Sequence, residues 1–88
     1  MTFKELKARA LQDDAFKKEW ENQSAFWQVQ RQLIQARIDS NLSQEQIAQR
    51  MQVKQSAVAR FEKASNANLN TIISYARAVG LKKLTIEV

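Results

Sequence analysis

The chain has 88 residues, a net charge of +5 and a single glycine, and it lacks proline, cysteine and histidine. A chain this short makes one domain with a modest appendage and buries about 60–65% of its unfolded surface, so its thin core would gain from a partner subunit. Without cysteine or histidine it has no disulfide framework, no thiolate metal site and no imidazole base, so neither an enzyme nor a cofactor or metal protein is expected.

In chain order, Phe3, Leu6 and Ala10 recur at helical spacing and predict a short amphipathic helix. Asp13 or Asp14 can cap a second helix. That helix is expected to run to about Asp39, with Phe16, Trp20, Trp27, Leu33, Ile34 and Ile38 as its apolar positions and a polar weak point at Asn22-Gln23-Ser24. Asn41 tolerates the left-handed conformation that ends a helix. Ser43 and Gln46 have the spacing of a capping box and start a helix lasting to about Met51. Gln52 and Val53 form a turn, Gln55 to Lys63 the next helix, and Ala64 to Asn68 a loop. Asn68 then caps a helix from Leu69 to Val79, which Gly80 ends. Leu84, Ile86 and Val88 alternate with polar residues, the period of a short β-strand.

Charge is unevenly placed. Five basic and five acidic side chains balance over residues 1–23, whereas residues 24–88 hold nine basic against four acidic ones, so the whole excess lies there. Such an excess suits a polyanion, because phosphate neutralisation and counterion release dominate nucleic-acid affinity. No apolar run approaches the ~20 residues of a membrane span, and no signal-peptide core follows Met1, so a soluble cytoplasmic protein is expected.

Two short helices packed near a right angle across a tight turn need a fixed pattern. Ala48 is small where the second helix crosses, and Ile47, Met51, Val53, Val58 and Phe61 are expected to form the buried wedge. On this register, residues 30–80 resemble the Xre/Cro family of phage-repressor-like helix-turn-helix domains. Gln52 departs from it by standing at the usual turn glycine, and Lys54 by replacing the usual Ser or Thr cap. The resemblance implies that Gln44 binds a phosphate and that Gln55, Ser56 and Ala57 reach base edges, Gln55 pairing with adenine and Ala57 touching a thymine methyl. It also implies that Arg60 contacts guanine or a phosphate and that Lys54 binds the backbone.

The arrangement of the whole chain, including the Asp-Asp-Ala-Phe-Lys-Lys-Glu-Trp segment, resembles the HigA-type antitoxins of toxin–antitoxin modules. That resemblance implies a homodimeric repressor of its own operon that neutralises a RelE/HigB-like mRNA-cleaving toxin, with Phe3, Leu6, Leu11, Phe16 and Trp20 as toxin contacts. The expected fold is all-α, a lambda-repressor-like helix-turn-helix bundle over 24–80. A helical extension (1–23) precedes it and one short C-terminal β-strand (81–88) follows. That strand is expected to pair through Leu84, Ile86 and Val88 across a two-fold axis, setting two recognition helices on an inverted-repeat operator in double-stranded DNA. The alternatives are a stand-alone phage or plasmid regulator and a protein-interaction inhibitor without DNA binding.

Overall fold

In a computed structural model, residues 2–12, 14, 15, 18, 24–65 and 67–84 are described. The helices are α1 (Phe3–Gln12), α2 (Ser24–Asp39), α3 (Gln44–Met51), α4 (Gln55–Lys63) and α5 (Leu69–Val79). Among the described residues none of them is long and apolar enough to cross a membrane.

Local chemistry sets most helix ends. Thr2 Oγ1 accepts the Glu5 amide at 3.2 Å and caps α1. α2 begins within the predicted weak point, while Asp14, Ala15 and Lys18 are helical ahead of it. Asn41 adopts φ 57°. Ser43 Oγ accepts the Gln46 amide at 3.0 Å and Gln46 Oε1 accepts the Ser43 amide at 2.8 Å, which completes the capping box. Asn68 Oδ1 accepts the Thr71 amide at 2.8 Å to start α5, and Gly80 ends it at φ 80°.

The core joins Ala25, Phe26, Val29 and Leu33 of α2 to Ile47 and Ala48 of α3, Val58 and Phe61 of α4, and Ile72, Tyr75, Ala76, Ala78 and Val79 of α5. Phe61 centres it, meeting Phe26 edge-on at 6.3 Å and Tyr75 at 5.0 Å between ring centroids. Among the described residues one polar side chain, Gln30, is buried within it. Gln30 Nε2 donates to the Phe61 carbonyl at 2.9 Å and the Ala64 carbonyl at 2.8 Å, so α2 satisfies the last carbonyls of α4.

Three expectations are corrected. Of the apolar positions assigned to α2, Leu33 is buried, but Trp27 is 54% and Ile38 52% exposed and Ile34 is half-buried. The helix carries two apolar stripes. The one that packs is Ala25-Phe26-Val29-Leu33, because its small first residue and i, i+3, i+7 spacing fit against α5. Trp27 is left outside, with the Arg31 guanidinium 4.6 Å from its ring centroid. Val53, assigned to the wedge, is 42% exposed, since the left-handed Gln52 before it turns the chain out of the α3–α4 angle.

The third correction concerns the C-terminal strand. Among the described residues no strand forms there; Lys83 makes a single antiparallel bridge to Thr2. Leu84, expected on a face shared with a second subunit, is 2% exposed in the core of its own chain. The turn at Gly80 and the packing of Leu81 on the core bring the segment back over the domain, and Leu84 is buried there within its own chain. Ile86 and Val88 lie outside the described residues.

Candidate nucleic-acid interface

The turn between α3 and α4 sets the geometry. Gln52 sits at φ 59° and its amide donates to the Ala48 and Gln49 carbonyls, while the Val53 amide donates to Ala48 at 3.0 Å. The left-handed conformation costs a non-glycine residue about 1 kcal/mol, and this closed pattern of bonds offsets it. Lys54 then opens α4 in extended conformation (φ −75°, ψ 149°) with no side-chain cap bond. Lys54 is exposed.

α4 buries Val58 and Phe61, and that choice turns Gln55, Ser56, Ala57 and Arg60 to the exposed side, one turn apart at Gln55/Ser56 and Arg60. Lys63, a residue the sequence reading passed over, extends the same basic edge. The side chains of Lys54, Arg60 and Lys63 make no hydrogen bond or ion pair among the described residues. The face therefore carries uncompensated positive charge.

Behind it lies a hydrogen-bonded chain that links the exposed helix to the core. Gln55 Nε2 donates to Gln44 Oε1 at 2.7 Å, and Gln44 Nε2 donates to Glu62 Oε1 at 3.1 Å. Arg37 grips the same carboxylate in a fork, Nε to Oε2 at 2.8 Å and Nη2 to Oε1 at 3.0 Å, and Tyr75 Oη donates to Oε2 at 2.7 Å. The remaining Arg37 nitrogen, Nη1, donates to the Leu42 carbonyl at 2.9 Å.

The polarity of this chain follows from Glu62. A carboxylate only accepts, so Gln44 must turn its NH2 to Glu62 and its carbonyl to Gln55, and Gln55 must then donate. Gln55 keeps one N–H and its Oε1 free, a donor and an acceptor side by side. Adenine presents the complementary N7 acceptor and N6 donor in the major groove. Gln44 therefore spends its carbonyl on Gln55 and one N–H on Glu62, which leaves its second side-chain N–H and its backbone N–H, at the first turn of α3, for a phosphate.

Burial alone would raise the Glu62 carboxyl, but the hydrogen bonds from Arg37, Tyr75 and Gln44, and the Arg37 charge, hold its pKa below the usual carboxylate value. Burial and the adjoining Glu62 push the Tyr75 phenol far above its ordinary range, so it remains a neutral donor. Arg37 rises despite burial, through the same carboxylate.

The sequence reading missed Arg37, Glu62 and Tyr75. Their signal was present: Arg37 follows Leu33 by four residues and Glu62 follows Val58 by four, so each helix carries one charge of opposite sign on its core side. Of the residues expected to contact a toxin, Phe3, Leu6 and Leu11 lie in α1 with only their backbone described, and Phe16 and Trp20 lie outside the described residues.

The helix-turn-helix family profile matches residues 33–85, more than half of the chain, from the middle of α2 to just past Leu84. Neither a curated protein nor a solved structure matches the chain. With the capped α3, the left-handed turn at Gln52 and the basic α4 face all inside that match, the chain belongs to the Xre/Cro-type helix-turn-helix family of DNA-binding transcription regulators.

Proposed function

We propose that this chain is a sequence-specific repressor that binds an inverted-repeat operator as a homodimer and serves as the antitoxin of a toxin–antitoxin pair. The observation that carries sequence specificity is the Glu62–Gln44–Gln55 chain, which holds an exposed amide in one orientation. Fixing a long side chain before binding lowers the entropy lost on contact and penalises bases with the wrong donor–acceptor order. In this reading Gln55 reads adenine, Ala57 meets a thymine methyl, Arg60 takes guanine O6 and N7, and Ser56 supports the same base edges. Lys54 and the α3 amides, Gln44 among them, hold phosphates.

The size of the reading head favours a dimer. The 9-residue α4 is about 14 Å long and spans roughly four base pairs, too few to mark one site in a genome. Two copies about 34 Å apart, one DNA turn, double the site. Selection from a randomised duplex library tests this. The recovered duplexes are expected to share an inverted repeat with half-sites one turn apart; a recovered motif without symmetry overturns the dimer, and no enrichment overturns specific binding.

The antitoxin role is supported by the charge-neutral extension ahead of the family match, which brings Phe3, Leu6, Leu11, Phe16 and Trp20 to a region DNA binding does not require. Alanine at both Phe16 and Trp20 is expected to abolish neutralisation of a RelE/HigB-like nuclease encoded beside this chain, with operator affinity unchanged within a few-fold. Growth rescue and operator titration read the two effects separately. Loss of folding or of DNA binding in parallel would place these aromatics in the core and remove the extension from toxin binding.

A further inference from the structure

A second basic feature lies off the exposed face of α4. A hollow of about 360 Å³ opens between the end of α3 and the outer side of α5, lined by Arg50, Met51, Gln52, Ser74, Arg77 and Ala78. None of these residues is acidic. Arg50 is held in place by its Nη1, which donates to the Ala78 carbonyl at 2.7 Å. The rest of its fork, the Arg77 guanidinium, the Gln52 side-chain amide and the Ser74 hydroxyl make no hydrogen bond or ion pair among the described residues.

A cation in the last turn of a helix is favourable by itself, and both arginines occupy such positions. The helix dipole does not account for their convergence on one concavity, together with a hydroxyl and an amide, without a carboxylate among them. Two guanidinium groups, one of them pre-oriented by a backbone carbonyl, present several donors to an oxygen-rich tetrahedral anion.

We propose that the Arg50–Arg77 hollow binds a phosphate group. Its first source is the DNA backbone, and in that respect the inference rests on the DNA-binding reading above. Gln52 in the hollow precedes Lys54, the backbone contact of α4, by two residues. A duplex strand carries a phosphate for every ~3.4 Å of axis, so a backbone that meets Lys54 offers further phosphates to the adjoining surface. The second source is a free phosphate or phosphorylated small molecule, which the same donors fit.

The test compares the intact chain with Arg77→Gln and Arg31→Gln. Both residues are exposed, and both changes remove one positive charge, but Arg31 lies on α2 away from the hollow. Binding to a mixed-sequence 30-bp duplex is followed by fluorescence anisotropy across a salt series. Arg77→Gln is expected to lower the slope of log affinity against log salt by about one and weaken binding about 3–10-fold at 0.1 M salt, whereas Arg31→Gln leaves the slope as it was. In parallel, the Arg77 Nε–H resonance is followed while inorganic phosphate, and separately a poly-glutamate peptide, is added.

A slope change confined to Arg77→Gln assigns the phosphate to DNA. A shift with inorganic phosphate, without the slope change, supports the hollow with the free source. If the intact chain binds no duplex while inorganic phosphate still shifts Arg77, the DNA-binding reading fails and the hollow stands. Equal slopes for both variants with no phosphate shift overturn the proposal, and so does a response to poly-glutamate alone.

Discussion

Glu62→Ala is expected to destabilise the domain by roughly 3 kcal/mol, a large part of the 5–15 kcal/mol that holds a domain folded. The Glu62 and Arg37 side chains are 8% and 16% exposed, and four protein donors converge on the carboxylate. Removing it leaves a guanidinium, a phenol and an amide short of an acceptor in a place water reaches poorly. Urea denaturation measures the loss, and a fall below about 1 kcal/mol would show that the network contributes little. Changing both partners to apolar residues of similar size, Arg37→Met with Glu62→Leu, is expected to recover much of the stability, because no buried charge is then unpaired. It is not expected to recover operator specificity, since Gln44 would have lost the acceptor that orients it.

The same carboxylate sets an acid limit. Its folded pKa lies below its ordinary 4.5, so the unfolded chain holds the proton more tightly. The stability it contributes is therefore complete above pH 4.5, declines as pH falls below that value, and is gone beneath the folded pKa. Between pH 7 and 3 the midpoint of the intact chain should drop more steeply than that of Glu62→Gln, and parallel profiles would assign the acid sensitivity elsewhere.

Arg60→Ala and Gln55→Ala are each expected to weaken operator binding by roughly 1–3 kcal/mol and to relax preference at one base pair per half-site. Both side chains stand on the exposed side of α4, so the fold should not change. Gln44→Ala separates reading from positioning. It touches no base in this arrangement, yet it frees Gln55 to rotate, so base preference at the Gln55 position should broaden while the preference set by Arg60 stays. Lys54→Ala should weaken all sequences about equally and reduce the salt slope by about one per half-site. Footprinting and competition against single-base variants of the selected operator read all four. Unchanged affinity and preference for Arg60→Ala would remove α4 as the reading helix.

What the sequence determined by itself was local. The capping box at Ser43 and Gln46, the left-handed residues at Asn41, Gln52 and Gly80, the Asn68 cap and the bounds of α3, α4 and α5 each depend on interactions spanning a few residues, whose partners stand beside one another in the chain. The exposed face of α4 was legible for the same reason, since Val58 and Phe61 fix which side turns inward. Tertiary structure decided whatever involved a choice among distant partners. α2 offered two apolar stripes, and periodicity could not say that α5 would take Phe26, Val29 and Leu33 and leave Trp27 and Ile38 outside. The period-2 pattern near the C-terminus described a strand equally well with or without a mate, and only the folded chain placed Leu84 in the core and Lys83 against Thr2. Arg37 and Glu62 are 25 residues apart. Their pairing, and with it the orientation of Gln44 and Gln55, arises only once α2, α3, α4 and α5 close around one carboxylate that can do nothing but accept.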